Sequence, residues 1–185
     1  LSPSSAASDV YKRQDIGHTA DEITLTRQCA ELGFYPKMFI ATLSGTMDYP
    51  EALGDLAEGV IGNPAWFYTI KYPGTEEFAK KFEEKYGTSP DYHAGIAYAA
   101  TQVLFKAIEM AIEETGKPDP DAIIDALHEL DMMTVIGRVK FNEKGMNVYA
   151  TMIATQVQNG EVTPIWPPEA AVGTLIYPKP PFGGA

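Results

Sequence analysis

The sequence is poor in the residues that build redox and metal sites. Among its 185 residues there is one cysteine, Cys29, and there are three histidines. A lone cysteine excludes an internal disulfide, and its place in a helical apolar pattern favours a buried, inert thiol. No cysteine or histidine cluster has the spacing of a zinc site. We therefore expect neither a metal nor a cofactor.

Positive charge and long apolar runs are also scarce. There are 14 Lys and Arg residues against 25 Asp and Glu, a formal net charge of −11. Such an acidic chain without a basic stripe argues against nucleic acid and against an anionic membrane surface as partners. The densest apolar stretch, residues 94–112, is interrupted by Gln102, Lys106 and Glu109. It falls short of the ~20 apolar residues of a membrane span, so we expect no membrane-spanning segment.

The first residues look foreign to the rest. Residues 1–14 show neither an apolar period nor the apolar run of a signal peptide. Ser4–Gln14 resembles the translation of the transposase adapter used to make short-read DNA sequencing libraries; the alternative is an ordinary polar leader. We expect residues 1–14 to be an artefactual, disordered leader, the native chain to begin near Asp15, and its signal segment to be missing.

Residues 15–70 read as alternating helices and strands. Thr19 and Glu22 form a capping-box pattern that opens a helix ending at Gly33. Further elements are predicted as a strand at 37–41, a polar loop at 42–49, a short helix from Pro50 to Ala57, and strands at 59–62 and 65–70. This order predicts part of a doubly wound α/β sheet.

The pattern changes after residue 74. Three amphipathic helices are predicted, at 75–86, from Pro90 to about Thr115, and from Asp119. The apolar face of the second is wide enough to predict that this helix is well buried. Residues 137–141 and 149–158 then read as a hairpin, and Asn159-Gly160 is the turn of another that continues to Trp166. From Pro167 the chain reads as a wrapping or frayed terminus.

Four segments, in their order, carry a family resemblance. They are AELGF at 30–34, GDLAEGV at 54–60, FEEKYGTSPDYHAGIAYAA at 82–100 and VIGRVKFNEKG at 135–145. Together they resemble the C-terminal half of the type I periplasmic solute-binding proteins, in the branch of leucine/isoleucine/valine- and amide-binding receptors of ABC importers. The resemblance extends over nearly all of residues 15–170.

The resemblance implies an organisation and a function. The fold would be α/β, the C-terminal part of two lobes with doubly wound sheets. Residues 15–72 would end the second lobe and cross over, 73–132 would be helices of the first lobe, 133–170 the returning strands and 171–185 a Pro/Gly-rich tail. Helices 75–130 would lack a sheet to cover and would expose apolar surface. The whole protein would be no enzyme but a periplasmic or extracellular receptor, with or without a lipid anchor. It would bind a small amino-acid-, amide- or aromatic-acid-like solute in the interlobe cleft and deliver it to ABC permease subunits.

Ligands of open α/β sheets bind beyond the carboxyl ends of the strands. His18 follows one predicted strand end, and a hydroxyl-bearing loop follows another, so the candidate ligand contacts there are His18, Thr42, Leu43, Ser44 and Gly45. Trp66, at the crossing, is a candidate floor of the interlobe cleft. The alternatives are local capping for His18, ordinary turn chemistry for Thr42 and Ser44, and core packing for Trp66.

One departure from the family pattern bears on the ligand. Counted in register from Gly33, amino-acid-binding members carry at Thr42 the carboxylate that pairs with the ligand's ammonium, and the nearest acid here is Asp48. A buried ammonium without a carboxylate is costly. An amide, a urea-like molecule, a carboxylate or an aromatic compound therefore fits the loop better than an α-amino acid.

Two other function classes stay open on the sequence. The same fold serves as the ligand-binding domain of sensors and regulators. Ser44, His18 and Asp48 supply the residue types of a hydrolase triad, although Ser44 lies outside a G-x-S-x-G elbow. Serine hydrolase activity is therefore the remote alternative.

Overall fold

The structure of the protein, a computed structural model, describes residues 12–15 and 17–183, the first four by their backbone alone. The chain divides into two compact units, Leu1–Thr69 with Met152–Ala185 and Ile70–Thr151. Of the predicted leader, residues 1–11 lie outside the described residues. Its last three residues form part of a strand, which pairs in parallel with residues 38–41. Because strand pairing uses backbone groups, a polar sequence can occupy this position.

The elements have the following bounds in chain order. The first unit contains β1 (Lys12–Asp15), α1 (Thr19–Glu31), β2 (Met38–Ala41), α2 (Asp48–Leu53), a 3-10 turn (Gly54–Ala57) and β3 (Ile61–Gly62). The second unit contains α3 (Thr75–Tyr86), α4 (Tyr92–Thr115), α5 (Pro120–Glu129), β4 (Asp131–Thr134) and β5 (Gly137–Lys140). The chain then completes the first unit with β6 (Ala154–Gln158) and β7 (Glu161–Trp166).

The sheet of the first unit has the order β1-β2-β3-β6-β7. Its first three strands are parallel, and β6 and β7 add to them antiparallel. Since α1 and α2 connect the parallel strands, the predicted α/β class is confirmed. The turn between β6 and β7 is also as predicted: Asn159 and Gly160 both have positive φ, 56° and 78°, as a type I′ turn requires.

The strand predicted at residues 65–70 is absent, and this prediction was wrong. The segment is irregular, yet it buries Trp66, Phe67 and Ile70. A short apolar run looks the same whether a strand or an irregular segment carries its side chains into the core.

The second hairpin is paired differently from the prediction. The sequence favoured 137–141 with 149–158 across a turn at 142–145. The turn forms, with an antiparallel bridge between Phe141 and Asn147, but β5 pairs with β4, and residues 154–158 belong to the other sheet. The Thr134 hydroxyl donates to the Gly137 carbonyl at 2.9 Å and accepts from the Ile136 N–H at 3.2 Å. Gly137 has a φ of 97°, a conformation in which a side chain is strained. This local turn chemistry sets the pairing.

The helices of the second unit form where they were predicted, but α4 is less buried than its periodicity suggested. Its buried residues are a narrow stripe of Gly95, Ala99, Val103, Ala107 and Ala111. The larger apolar side chains beside that stripe are exposed, at 46% for Leu104, 66% for Phe105 and 42% for Ile112. This apolar exposure is what the resemblance implied for helices that lack a covering sheet.

By length and composition alone, α4 could also cross a membrane, with a mean hydropathy of 1.2 over its best 18 residues. It is the one such helix among the residues that the structure describes. The core helix of a soluble protein passes the same test, so length and composition do not by themselves make α4 a membrane span.

The segment after β7 packs over the first unit. Of the two predicted alternatives, a wrapping or a frayed terminus, the structure therefore supports the wrapping one, as far as residue 183. The Gln156 amide donates to the carbonyls of Gly59 and Ile176, both at 3.0 Å, and accepts from the Ile176 N–H at 2.8 Å. Farther along, Phe182 is 4% exposed and packs edge-on against Phe39 with ring centroids 5.4 Å apart.

The ammonium of Lys179 is held inside this tail. The residue is 6% exposed, its Nζ donates to the Pro180 carbonyl at 2.5 Å, and it lies 3.8 Å from the centroid of the Phe182 ring. Burial lowers the pKa of Lys179 from 10.5 to about 8, and the charge of Glu58 opposes part of that change.

A pH-dependent stability follows from this depressed pKa. Between pH 8 and 10.5 the unfolded chain keeps the Lys179 proton while the folded chain releases it, so stability rises with pH through that window. Lys179→Met should therefore stabilise the chain at pH 7 by about 1–2 kcal/mol, less than the full shift because the ammonium retains two partners. The advantage should vanish near pH 10.5. Urea unfolding of both proteins at the two pH values measures it, and equal stabilities at pH 7 would contradict the burial cost.

Candidate functional site

One edge of the first unit's sheet collects the sequence-predicted residues. The parallel strands β1, β2 and β3 end at Asp15, Ala41 and Gly62. His18, residues 42–47 and Asn63-Pro64 follow these ends and therefore leave the sheet at the same edge. In open α/β sheets this is the edge at which ligands bind.

His18 is the N-cap residue of α1 and is exposed. Its carbonyl accepts from the backbone N–H of Asp21 at 2.9 Å and of Glu22 at 3.0 Å, and its own N–H donates to the Asp21 carboxylate at 3.3 Å. The predicted capping box of Thr19 and Glu22 was therefore wrong by one residue. His18 therefore caps α1 in a capping box with Asp21, the local role predicted as the alternative for this residue, and it is exposed.

Glu22 lies instead on the inner side of α1 and is completely buried. Both of its carboxylate oxygens accept from the Leu43 backbone N–H, Oε1 at 3.0 Å and Oε2 at 2.9 Å. This contact was not predicted, because the capping-box pattern assigned Glu22 to the cap of α1. The available signal was its spacing from Thr26 and Cys29, since the three residues form the buried stripe of α1.

The loop after β2 is held by its own hydrogen bonds. The Ser44 hydroxyl and N–H both donate to the Ala41 carbonyl, at 2.7 and 3.1 Å, and the Thr46 hydroxyl donates to the Leu43 carbonyl at 3.2 Å. The Thr42 carbonyl accepts from the Asn63 N–H at 3.3 Å. The N–H groups of Leu43 and Ser44 therefore both bond to protein acceptors.

Gly45 brings this loop into close contact with the chain after β3. A Cβ added to Gly45 would lie 2.6 Å from Pro64 Cγ and closer still to Pro64 Cδ. A Cβ added to Gly62 would lie 2.8 Å from the Gly45 Cα and 2.9 Å from the Ser44 hydroxyl oxygen. The two backbones approach so closely that only glycine fits at either position.

Behind the loop, a buried hydrogen bond joins α1 to α2. The Thr26 hydroxyl donates to the Glu22 carbonyl at 2.8 Å, which uses its single proton. The Tyr49 hydroxyl, 2.5 Å from Thr26 Oγ1, is therefore the donor of that contact. Tyr49 is fully buried, so this bond supports the loop from inside the unit.

Three of the predicted contact residues are buried in the chain as described. They are Gly45 and, each 1% exposed, Ser44 and Trp66. The half-buried positions at this edge are Thr42, Leu43, Thr46 and Met47. Contact of His18, Thr42, Leu43, Ser44, Gly45 and Trp66 with a ligand stays a prediction, and His18 and Thr42 are the two whose exposure suits it best.

Other parts of the described chain are weaker candidates for a functional site. Among residues 17–183, no three His, Cys, Asp or Glu side chains cluster in a way that could hold a metal ion. A groove of about 700 Å³ in the second unit is lined mostly by acidic side chains of α4 and α5, including Glu113, Asp125 and Glu129. It contains none of the predicted site residues.

Comparison with known proteins gives the geometry a context. A family model described as "Periplasmic binding protein" matches residues 16–161. The chain is 29% identical over 171 residues to the Leu/Ile/Val-binding protein homolog 8 of Brucella abortus (strain 2308), and the match covers 86% of this chain and 41% of the relative.

Solved structures show the same fold. The leucine binding protein LivK from Thermotoga maritima MSB8 superposes with a TM-score of 0.66 at 24% identity, over 88% of this chain and 46% of that one. An extracellular ligand-binding receptor from Rhodopseudomonas palustris HaA2 gives 0.65 at 22% identity, over 87% and 49%. The chain thus spans less than half the length of each of these proteins.

Proposed function

Because this chain belongs to the periplasmic binding protein family, a family of solute-binding proteins, we propose that it is the C-terminal half of an ABC importer's receptor. The observation that carries the proposal is the family match over residues 16–161. The receptor would act in the periplasm or outside the cell, bind a small solute between two lobes and deliver it to permease subunits. Hinge closure around a ligand is the known motion of periplasmic binding proteins, so its assignment to this protein follows from family membership alone.

We propose that the second lobe's contacts come from the sheet edge described above. His18 offers an exposed imidazole, and the loop of residues 42–47 offers the half-buried Thr42. Both follow the ends of parallel strands, where ligands of such sheets bind. Neither contact requires covalent chemistry.

The geometry also bears on the remote hydrolase alternative. A nucleophilic serine needs an accessible hydroxyl bonded to a general base. Ser44 is 1% exposed, and its hydroxyl donates to the Ala41 carbonyl. This arrangement favours a structural role for Ser44 and a binding function for the edge.

The solute class is proposed from the chemistry of the loop. The names of the relatives point to leucine, isoleucine and valine. The carboxylate that contacts the loop is that of Glu22, which is completely buried and bonded to Leu43. Because position 42 holds a threonine and not a carboxylate, we propose that the solute is an amide, carboxylate or aromatic acid in preference to a branched-chain amino acid.

A calorimetric screen of the full-length protein tests this proposal with L-leucine, L-isoleucine, L-valine, benzamide and benzoate. Loss of one hydrogen-bond partner should weaken binding by about five- to 150-fold. We expect this loss for His18→Ala and Thr42→Ala, whereas Thr24→Ala, on the exposed side of α1, should bind as the wild type does. Tight binding of L-leucine that neither substitution changes would overturn both the solute class and the contact residues.

A further inference from the structure

Glu22 is a costly residue to bury. Transfer of a carboxylate from water into a protein interior is unfavourable unless hydrogen bonds compensate for the lost hydration. The side chain is completely buried, and an apolar residue of similar size would fill the same space without that cost. Its place is therefore explained by what its carboxylate contacts better than by packing.

One contact of its carboxylate is directed at the candidate site. Both oxygens face the backbone N–H of Leu43, the second residue after β2. Glu22 lies one helical turn after His18 on α1. One side chain thus links the helix that carries His18 to the loop that carries Thr42.

We propose that Glu22 is a positioning residue, which holds the Thr42–Thr46 loop against α1 by accepting the Leu43 N–H. The inference rests on the proposed function in that this loop is taken to contact the solute. Glu22 itself, being buried, does not reach the solute. Its acceptor atom sets where the Thr42 side chain stands relative to His18.

The Glu22 bond differs from the other contacts of this region in that it attaches the start of the loop to α1, whereas the Thr26–Tyr49 bond attaches α2, which follows the loop. The Ser44 and Thr46 bonds lie within the loop, so they shape its turn without attaching it to α1. The close approach of Gly45 to Pro64 fixes the middle of the loop against the chain after β3. The Glu22 bond to the Leu43 N–H fixes the start of the loop against α1.

Two substitutions in the solute-free 185-residue chain test whether Glu22 acts as a hydrogen-bond acceptor or only fills space. Glu22→Gln retains an oxygen acceptor, and Glu22→Leu fills the space without one. Amide hydrogen exchange, followed by NMR, should be about tenfold faster or more at Leu43 in Glu22→Leu and within about threefold of wild type in Glu22→Gln. Exchange at Phe39 and Val157, in the buried strands, is the internal control and should not change in either variant.

The outcomes are decisive without any ligand. Unchanged Leu43 exchange in a folded Glu22→Leu protein would show that Glu22 only fills space and would overturn the proposal. If Glu22→Leu does not fold, the chemical shift of the Leu43 amide proton in Glu22→Gln provides the test. This resonance should move upfield because the neutral amide is a weaker acceptor than the carboxylate. An unchanged chemical shift would overturn the contact. Since no solute is present, this result stands apart from failure of the calorimetric screen, which concerns the proposed function.

Discussion

Gly45→Ala should destabilise the first unit by about 3 kcal/mol, as overpacking of a filled site does when the surroundings cannot move. The new methyl group would lie 2.6 Å from Pro64 Cγ. The proline ring is rigid, and Pro64 is buried, so neither side of the contact can give way easily. Urea unfolding followed by tryptophan fluorescence measures the loss.

The matched control is a glycine with open surroundings. Gly33 has a φ of 64°, and an added Cβ would meet no atom within 4 Å. Gly33→Asn should therefore cost less than about 1 kcal/mol, since asparagine tolerates this backbone conformation. If Gly45→Ala proves as mild as Gly33→Asn, the close approach of the loop to Pro64 is not as described.

Phe182→Ala should cost about 3–5 kcal/mol, the range for removal of a buried phenylalanine. The ring is 4% exposed and contacts the buried Phe39 of β2, with Tyr35 beside it at a centroid distance of 6.1 Å. Its loss also removes the ring over which the Lys179 ammonium lies. The effect is large for a residue so near the end of the sequence.

Leu175→Ala provides the comparison within the same tail. Leu175 is 48% exposed, so its truncation should change the free energy of unfolding by no more than about 0.5 kcal/mol. Both variants are measured by thermal and urea unfolding. Similar, small effects for both would mean that the tail does not pack through Phe182.

Elements defined by local signals could be predicted from the sequence. Helix α3 has its predicted bounds because Gly87 ends it, with a φ of 73°. Helix α5 begins behind Asp119, whose carboxylate accepts from the N–H of Asp121 at 3.2 Å, followed by Pro120 at its first position. In each case the residues that decide the boundary are neighbours in the sequence.

Predictions failed where the deciding partner is distant in the sequence. Glu22 matches a capping pattern, but its carboxylate bonds to Leu43, 21 residues away. Residues 154–158 were predicted to pair with 137–141 in a hairpin, but their partners are β3 and β7. The wide apolar face of α4 was predicted to be buried, and periodicity alone does not say whether a covering element is present.

The candidate site was predictable in position but not in detail. The rule for strand ends places His18 and residues 42–47 at one edge, and the parallel pairing of β1, β2 and β3 agrees with it. The sequence did not indicate that Ser44 faces inward or that Gly45 contacts Pro64. Both depend on how tightly the loop closes over the end of β3.

The β7 end of the sheet order has a consequence for how copies of this chain can associate. Pro164 of β7 has no N–H to offer, and its carbonyl already accepts from Val172 at 2.9 Å and Gly173 at 3.1 Å. A proline and a covering segment both discourage a foreign strand from extending a sheet. The β7 edge is therefore poorly suited to template fibril growth, and we expect self-association of this chain to proceed instead through exposed apolar helix faces such as that of α4.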